Sequence, residues 1–131
     1  MFDIDPSDAA PIWQQIDDGM RRMIALAVLK PGDAVPSVRD LARTLRVNPN
    51  TVARAYQRLT ERGVLTVRRG DGTYVAEQPL QQRKSERNEK LRDAATRYAG
   101  AAIAVGATGD EAVAELESSF DRLVREHRRK S

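Results

Sequence analysis

The 131-residue chain contains no cysteine and only one histidine, His127. Without thiols there is no disulfide, no thiolate nucleophile and no cysteine-based zinc site. A single histidine denies His-rich metal centres and Ser/His/Asp hydrolysis their raw material. Glu111, Glu115 and Asp121 lie within reach of His127 in sequence but lack convincing metal spacing, and acidic residues on a helix are usually a solvated face. No G-x-x-x-x-G-K-[ST] loop is present to cradle a nucleotide phosphate, and Ser118 and Ser119 have no base and orienting partner in the pattern. These absences predict neither an enzyme nor a bound metal or cofactor. Aromatic residues make up 5% of the chain, so Trp13, Tyr98 and Phe120 are expected as apolar anchors. No apolar run approaches the ~20 residues that cross a bilayer, and the opening MFDIDPSDAA is acidic, unlike a secretory leader. The expectation is a cytoplasmic protein with no membrane partner.

Hydrophobic residues make up 40%, charged residues 31%, and the mean hydropathy is −0.57, the composition of a folded, soluble chain. The net charge of +3 is modest, but it is unevenly placed. Residues 1–30 carry five aspartates against Arg21, Arg22 and Lys30, whereas residues 31–76 carry eight arginines and no lysine against four acidic residues. Arginine's planar fork suits phosphate and guanine, so nucleic acid becomes the leading partner.

Periodicity organises the first 76 residues. Ile12, Ile16, Met20, Met23, Ile24 and Ala27 form one apolar stripe of a helix that begins near Pro11 and is ended by LKPGD at 29–33. Ser37 and Asp40 have capping-box spacing ahead of Val38, Leu41, Ala42 and Leu45. Arg46-Val47 makes a break, Asn48 is a suitable N-cap, and Pro49 a suitable first helical residue. Val52, Ala55, Tyr56 and Leu59 give the third helix its buried face, with Gly63 at its C-terminal end. Val64, Leu65, Val67, Tyr74 and Val75 then read as two short strands around a loop at 68–72. One core is expected from Ile12 to about Val75.

On a helical wheel with Val52 at zero, Leu59 falls at about 340° and Ala55 at about 300°, whereas Asn50, Arg54 and Gln57 fall at about 160°, 200° and 140°. The polar side therefore faces away from the core and carries residue types that read base edges. Asn48, Asn50 and Thr51 occupy the first turn, where free backbone N–H groups and the helix dipole attract phosphate. Arg54, Arg58 and Arg62 continue along the helix, joined by Arg39 and Arg43 on the preceding helix and by Arg68 and Arg69 at the hairpin. Geometry nominates Arg43 and Arg54 for phosphate or base contact. Arg58 and Arg62 turn partly toward the protein. Tyr56 lies beside the core face, where packing is the stronger role for it than phosphate contact.

The segments PIWQQI at 11–16, LKPGDAVPSVRDLA at 29–42, VNPNTVARAYQRL at 47–59 and GVLTVRRGDGTYV at 63–75 run in one register. Over residues 9–76 they resemble the GntR family of bacterial winged-helix transcription regulators. The resemblance implies that Arg39 reaches DNA from the start of the second helix. It also implies that Asn48, Asn50 and Thr51 form the polar first turn of the recognition helix. Arg69 and Gly70 then stand at a wing tip that enters the minor groove, with Thr73 continuing the wing. Where some relatives carry further arginines, this chain has Pro49 and Ala53, so the operator sequence does not transfer.

After a polar linker over 77 to about 89, Leu91, Ala95, Tyr98, Ala102 and Val105 form one helical face. Val113, Leu116, Phe120, Leu123 and Val124 form another, with Gly106 and Gly109 between them and a Thr108/Glu111 capping box. Residues from His127 onward are expected to fray. Two short amphipathic helices do not bury both faces against each other, so a homodimer through a helical bundle is expected, with these ten residues as its interface. Packing of the same helices on their own winged helix is the weaker alternative. The short tail resembles the YtrA subfamily of the GntR family, whose members often regulate neighbouring transporter operons.

The sequence thus predicts a mainly α fold with a small hairpin. Residues 1–76 form a winged helix-turn-helix, and 77–131 form a linker and two-helix dimerisation region. The expected function is a sequence-specific repressor acting as a homodimer on double-stranded operator DNA. A small-molecule effector is left open, with no pocket nominated for it. Two other readings compete: an architectural DNA binder with little sequence choice, and a protein-interaction module built on the C-terminal helices.

Overall fold

The computed structural model describes residues 1–77 and 84–129. Its elements are α1 (Ile12–Ala25), α2 (Val38–Leu45), α3 (Pro49–Glu61), β1 (Leu65–Arg68), β2 (Gly72–Val75), α4 (Lys84–Ala104) and α5 (Gly109–Arg129). They divide into two units, Met1–Leu80 with Glu126–Ser131, and Gln81–Arg125. Of the polar stretch read as a linker, 77 to about 89, residues 78–83 lie outside the described residues, and 84–89 already belong to α4, whose first turns are polar.

In the first unit the apolar stripes meet as periodicity requires. Ile16, Met20 and Met23 of α1 pack with Leu41 and Ala42 of α2 and with Val52, Ala55 and Leu59 of α3, all buried. Each such aliphatic side chain contributes about 1.5–3 kcal/mol by leaving water. The breaks between helices have identifiable causes. Ser37 Oγ accepts from the Asp40 N–H at 3.1 Å and starts α2. Arg46 takes the left-handed conformation (φ 58°) and lets Val47 N–H reach Ala42 O at 3.0 Å, ending it. Asn48 Oδ1 then accepts from the Asn50 N–H at 2.8 Å, with Pro49 opening α3. Gly63 (φ 74°) turns the chain out of α3 toward β1.

Three details depart from the sequence-based expectation. First, α1 ends at Ala25, before Pro31 and Gly32. Ala27 adopts φ 57°, and Val28 and Leu29 N–H both return to Met23 O, so their side chains fold back onto the core. Second, the core begins at Phe2 rather than Ile12. Phe2 is buried beside Gly19, and Asp5 and Gln15 exchange hydrogen bonds of 2.8 and 2.9 Å that hold the N-terminal segment along α1. Third, the hairpin is not alone. β1 and β2 pair antiparallel from Leu65↔Val75 to Arg68↔Gly72, and the other edge of β2 is bonded to the segment ahead of α2. Val35 N–H reaches Thr73 O at 2.9 Å, Val75 N–H reaches Asp33 O at 2.8 Å, and Gly32 N–H reaches Val75 O at 2.9 Å.

The second unit is α4 and most of α5, both 21-residue helices about 30 Å long and not short as the sequence suggested. Thr108 and Glu111 cap α5 reciprocally, at 2.9 Å for Thr108 N–H to Glu111 Oε1 and 3.1 Å for Glu111 N–H to Thr108 Oγ1. These bonds, that with the Thr108 backbone first, hold the Glu111 carboxyl below the usual carboxylate range. Tyr98 donates its hydroxyl to Ala112 O at 2.7 Å, linking the two helices. Leu91, Val105, Val113, Leu116, Phe120 and Leu123 remain exposed, so the pair does not cover its own apolar faces. Fraying does not begin at His127: α5 continues to Arg129 and His127 is buried, grouped with the first unit.

A Cβ on Gly19 would stand 2.5 Å from the Phe2 ring. Gly19→Ala is therefore expected to destabilise the protein in thermal melts, although alanine is favoured in a helix by about 1 kcal/mol. In a Phe2→Ala background the same change is expected to stabilise by about that amount. Stabilisation in the wild-type background would remove Phe2 from the core.

Candidate nucleic-acid interface

The polar side of α3 is presented as the wheel predicts: Asn50, Arg54 and Gln57 are exposed, and Thr51 is half-buried. The first turn differs from expectation in one respect. Pro49 has no N–H, the Asn50 N–H is taken by Asn48 Oδ1, and the Thr51 N–H bonds Asn48 O at 3.0 Å. An anion here is met by the helix dipole and by side chains, not by free amides. With its oxygen used in the cap, Asn48 has its amide NH₂ to offer.

Arg39 and Arg43 are exposed on α2. Arg43 stands 3.7 Å from Asp40, an exposed pair of little energetic weight that a phosphate can displace. On the wing, Arg69, Gly70 and Asp71 form the exposed loop beyond the Arg68↔Gly72 pair. Gly70 has φ 78°, and a Cβ there would meet open space, so the turn's conformation, not crowding, calls for glycine. The neighbouring arginines separate into two roles. Arg68 lies 4.0 Å over the Tyr74 ring and 3.6 Å from Glu77, tying down the base of the wing. Arg69 forms no ion pair among the described residues and is the wing's outward charge. Thr73 is half-buried, and its carbonyl is engaged by Val35.

Hydrogen bonds bring these three elements together. Pro36 O accepts the Tyr56 hydroxyl at 2.7 Å, fixing α3 to the segment ahead of α2. One residue earlier, Val35 fixes that segment to β2. Arg39 thus stands three residues beyond Pro36, in a segment bonded to both α3 and the wing. Tyr56 is accordingly a buried structural residue, and its burial pushes the phenol well above its ordinary range. Arg58 turns toward the protein as expected, but sequence reasoning missed that it shares a partner with Arg54: their guanidiniums lie 4.7 and 4.6 Å over the Trp13 ring. A helix wheel for α3 shows only which side an arginine leaves from, not what another helix offers it.

The profile of "Bacterial regulatory proteins, gntR family" matches residues 13–75. Among similar proteins, the HTH-type transcriptional repressor YtrA of Bacillus subtilis is 44% identical over 77 residues, and the match spans 59% of each chain. The HTH-type transcriptional regulator Rv1152 of Mycobacterium tuberculosis is 32% identical over 113 residues, spanning 86% of this chain and 88% of that protein. Among solved structures, YtrA from Sulfolobus acidocaldarius, described as a GntR-family transcription factor, is 34% identical with a TM-score of 0.54. That likeness covers 92% of this chain and 97% of the other.

Tyr56→Phe is expected to cost about 1–2 kcal/mol in denaturant melts, because Pro36 O loses its partner. The raised phenol pKa sets the pH window. Its contribution is full below the unfolded value of about 10 and is lost as pH rises above it. Alkaline destabilisation starting near that pH should be smaller in Tyr56→Phe. An unchanged alkaline profile would show that Tyr56 is not the buried phenol.

Proposed function

The chain belongs to the gntR family of bacterial regulatory proteins and is a transcriptional regulator rather than an enzyme; on that premise we propose that it binds double-stranded operator DNA as a homodimer and represses by occupying a promoter. The observation that carries this reading is the convergence of three arginine- and asparagine-bearing elements on one hydrogen-bonded segment, Val35-Pro36. In this reading α3 enters the major groove, where Asn50 and Arg54 meet base edges or phosphate and Asn48 and Thr51 flank them. Arg39 and Arg43 meet the backbone beside α3. Arg69, with Gly70 and Thr73, brings the wing to the adjacent minor groove.

Dimerisation is supported by the second unit's surface. Phe120 is 65% exposed, with Leu91, Val113, Leu116 and Leu123 also open to solvent, and Val105, in the turn just past α4 rather than on its face, is 82% exposed. Large apolar side chains in this number on two helices are an interaction surface rather than ordinary scatter. A second copy covers them in a four-helix arrangement, with Ala95, Tyr98, Ala102 and Val124 completing the faces. Two-fold symmetry then presents two recognition helices to half-sites spaced by a whole number of helical turns. The domains proposed are residues 1–76 for DNA and 77–131 for dimerisation. No helix among the described residues is long and apolar enough to cross a membrane. We place the protein in the cytoplasm with its DNA, and the subfamily resemblance points to a transporter operon as its target.

Arg69→Ala tests the wing. Measured over a salt series, it is expected to weaken duplex binding and lower the slope of log K against log salt by about 0.9, one phosphate's worth of counterion release. Full affinity with an unchanged slope would take Arg69 out of the interface.

A further inference from the structure

Trp13 is the chain's single tryptophan. It stands in the first turn of α1, half-buried and packed against the core. Two arginines of α3 rest on it, with Arg54 Cζ 4.6 Å and Arg58 Cζ 4.7 Å from the ring centroid. Arg54 and Arg58 are one helical turn apart, a spacing at which like charges repel. Neither forms an ion pair with a carboxylate among the described residues. The electron-rich face of the indole supplies the attraction that holds them together.

The chemistry of this contact decides what it leaves available. A guanidinium resting on an aromatic ring uses its flat face, and its N–H donors point outward in its own plane. Stacking therefore fixes the side chain without using the groups that bind phosphate. Both arginines stay exposed. Immobilising a long side chain normally opposes binding, whereas here the ordering is done when the protein folds.

We propose that Trp13 is a positioning residue for DNA: it pre-orders Arg54 and Arg58 as a paired clamp for backbone phosphates beside the recognition helix. The proposal rests on the DNA-binding reading above and adds a residue outside the three elements that reading uses. It separates Arg54 and Arg58 from lysine, which brings the same charge but no planar face to stack.

The test is binding of the full chain to a mixed-sequence duplex of about 30 base pairs, roughly three helical turns, over a salt series. Trp13→Leu is expected to bind at least about fivefold more weakly than wild type, with the same salt slope, because the charges remain and only their order is lost. Trp13→Phe should recover part of the loss. Arg54→Lys/Arg58→Lys should be weakened similarly, and adding Trp13→Leu to it should cost nothing more. A Trp13→Leu or double-lysine variant that binds as well as wild type, or more tightly, overturns the proposal. Should circular dichroism show Trp13→Leu unfolded, the double-lysine variant decides, since both its sites are exposed. Wild type failing to bind the duplex at any salt is a different result, which overturns the DNA-binding reading and this proposal with it.

Discussion

The structure depends on the short segment at residues 32–36. It is bonded to β2 through Gly32, Asp33 and Val35 and to α3 through the Tyr56 hydroxyl on Pro36. Hydrogen bonds at 2.7–2.9 Å on both sides leave it little freedom. It is therefore the piece that sets the wing relative to α3. Without it, a two-stranded hairpin of four residues a side would be marginal on its own. Pairing on both edges of β2 makes the wing an extension of the helical core, able to hold a charged tip at a fixed place.

The two units solve the problem of apolar burial differently. The first closes its own core from Phe2 to Val75, with eight large side chains at under 2% exposure. The second leaves Ile103, Val105 and Phe120 at 65% exposure or more. Its internal order comes from the α5 cap and the Tyr98–Ala112 bond, not from a core. Capping and helix propensity keep such helices formed but leave these apolar side chains open to solvent. In our reading that imbalance is resolved by symmetry, which also gives a DNA reader its second half-site.

What the sequence made legible was local. Caps at Ser37, Asn48 and Thr108, the break at Arg46-Val47, the turn at Gly63 and the apolar stripes all depend on residues within about one turn of each other. The features missed are contacts between residues far apart along the chain. Phe2 meets Gly19, Val35 meets Thr73, Tyr56 meets Pro36, and Trp13 meets Arg54. A residue pattern has no period for such pairs. The α1 terminus was misplaced for a related reason: Pro31 and Gly32 are strong breakers, yet Ala27 had already left the helix with a conformation alanine seldom takes. At the candidate interface, the residue types were legible and their local engagements were not. The Asn48 cap consumes an amide that looked free, and Arg68 is committed to Tyr74 while Arg69 is not.

The central claim is that this chain reads operator DNA as a symmetric dimer. The most direct measurement is selection of bound sequences from a random duplex library by the full chain at physiological salt. The account predicts enrichment of a two-fold-symmetric motif whose half-sites lie a whole number of helical turns apart. Binding without enrichment, fading smoothly as salt rises, would contradict it and leave a protein that holds the phosphate backbone without reading the bases.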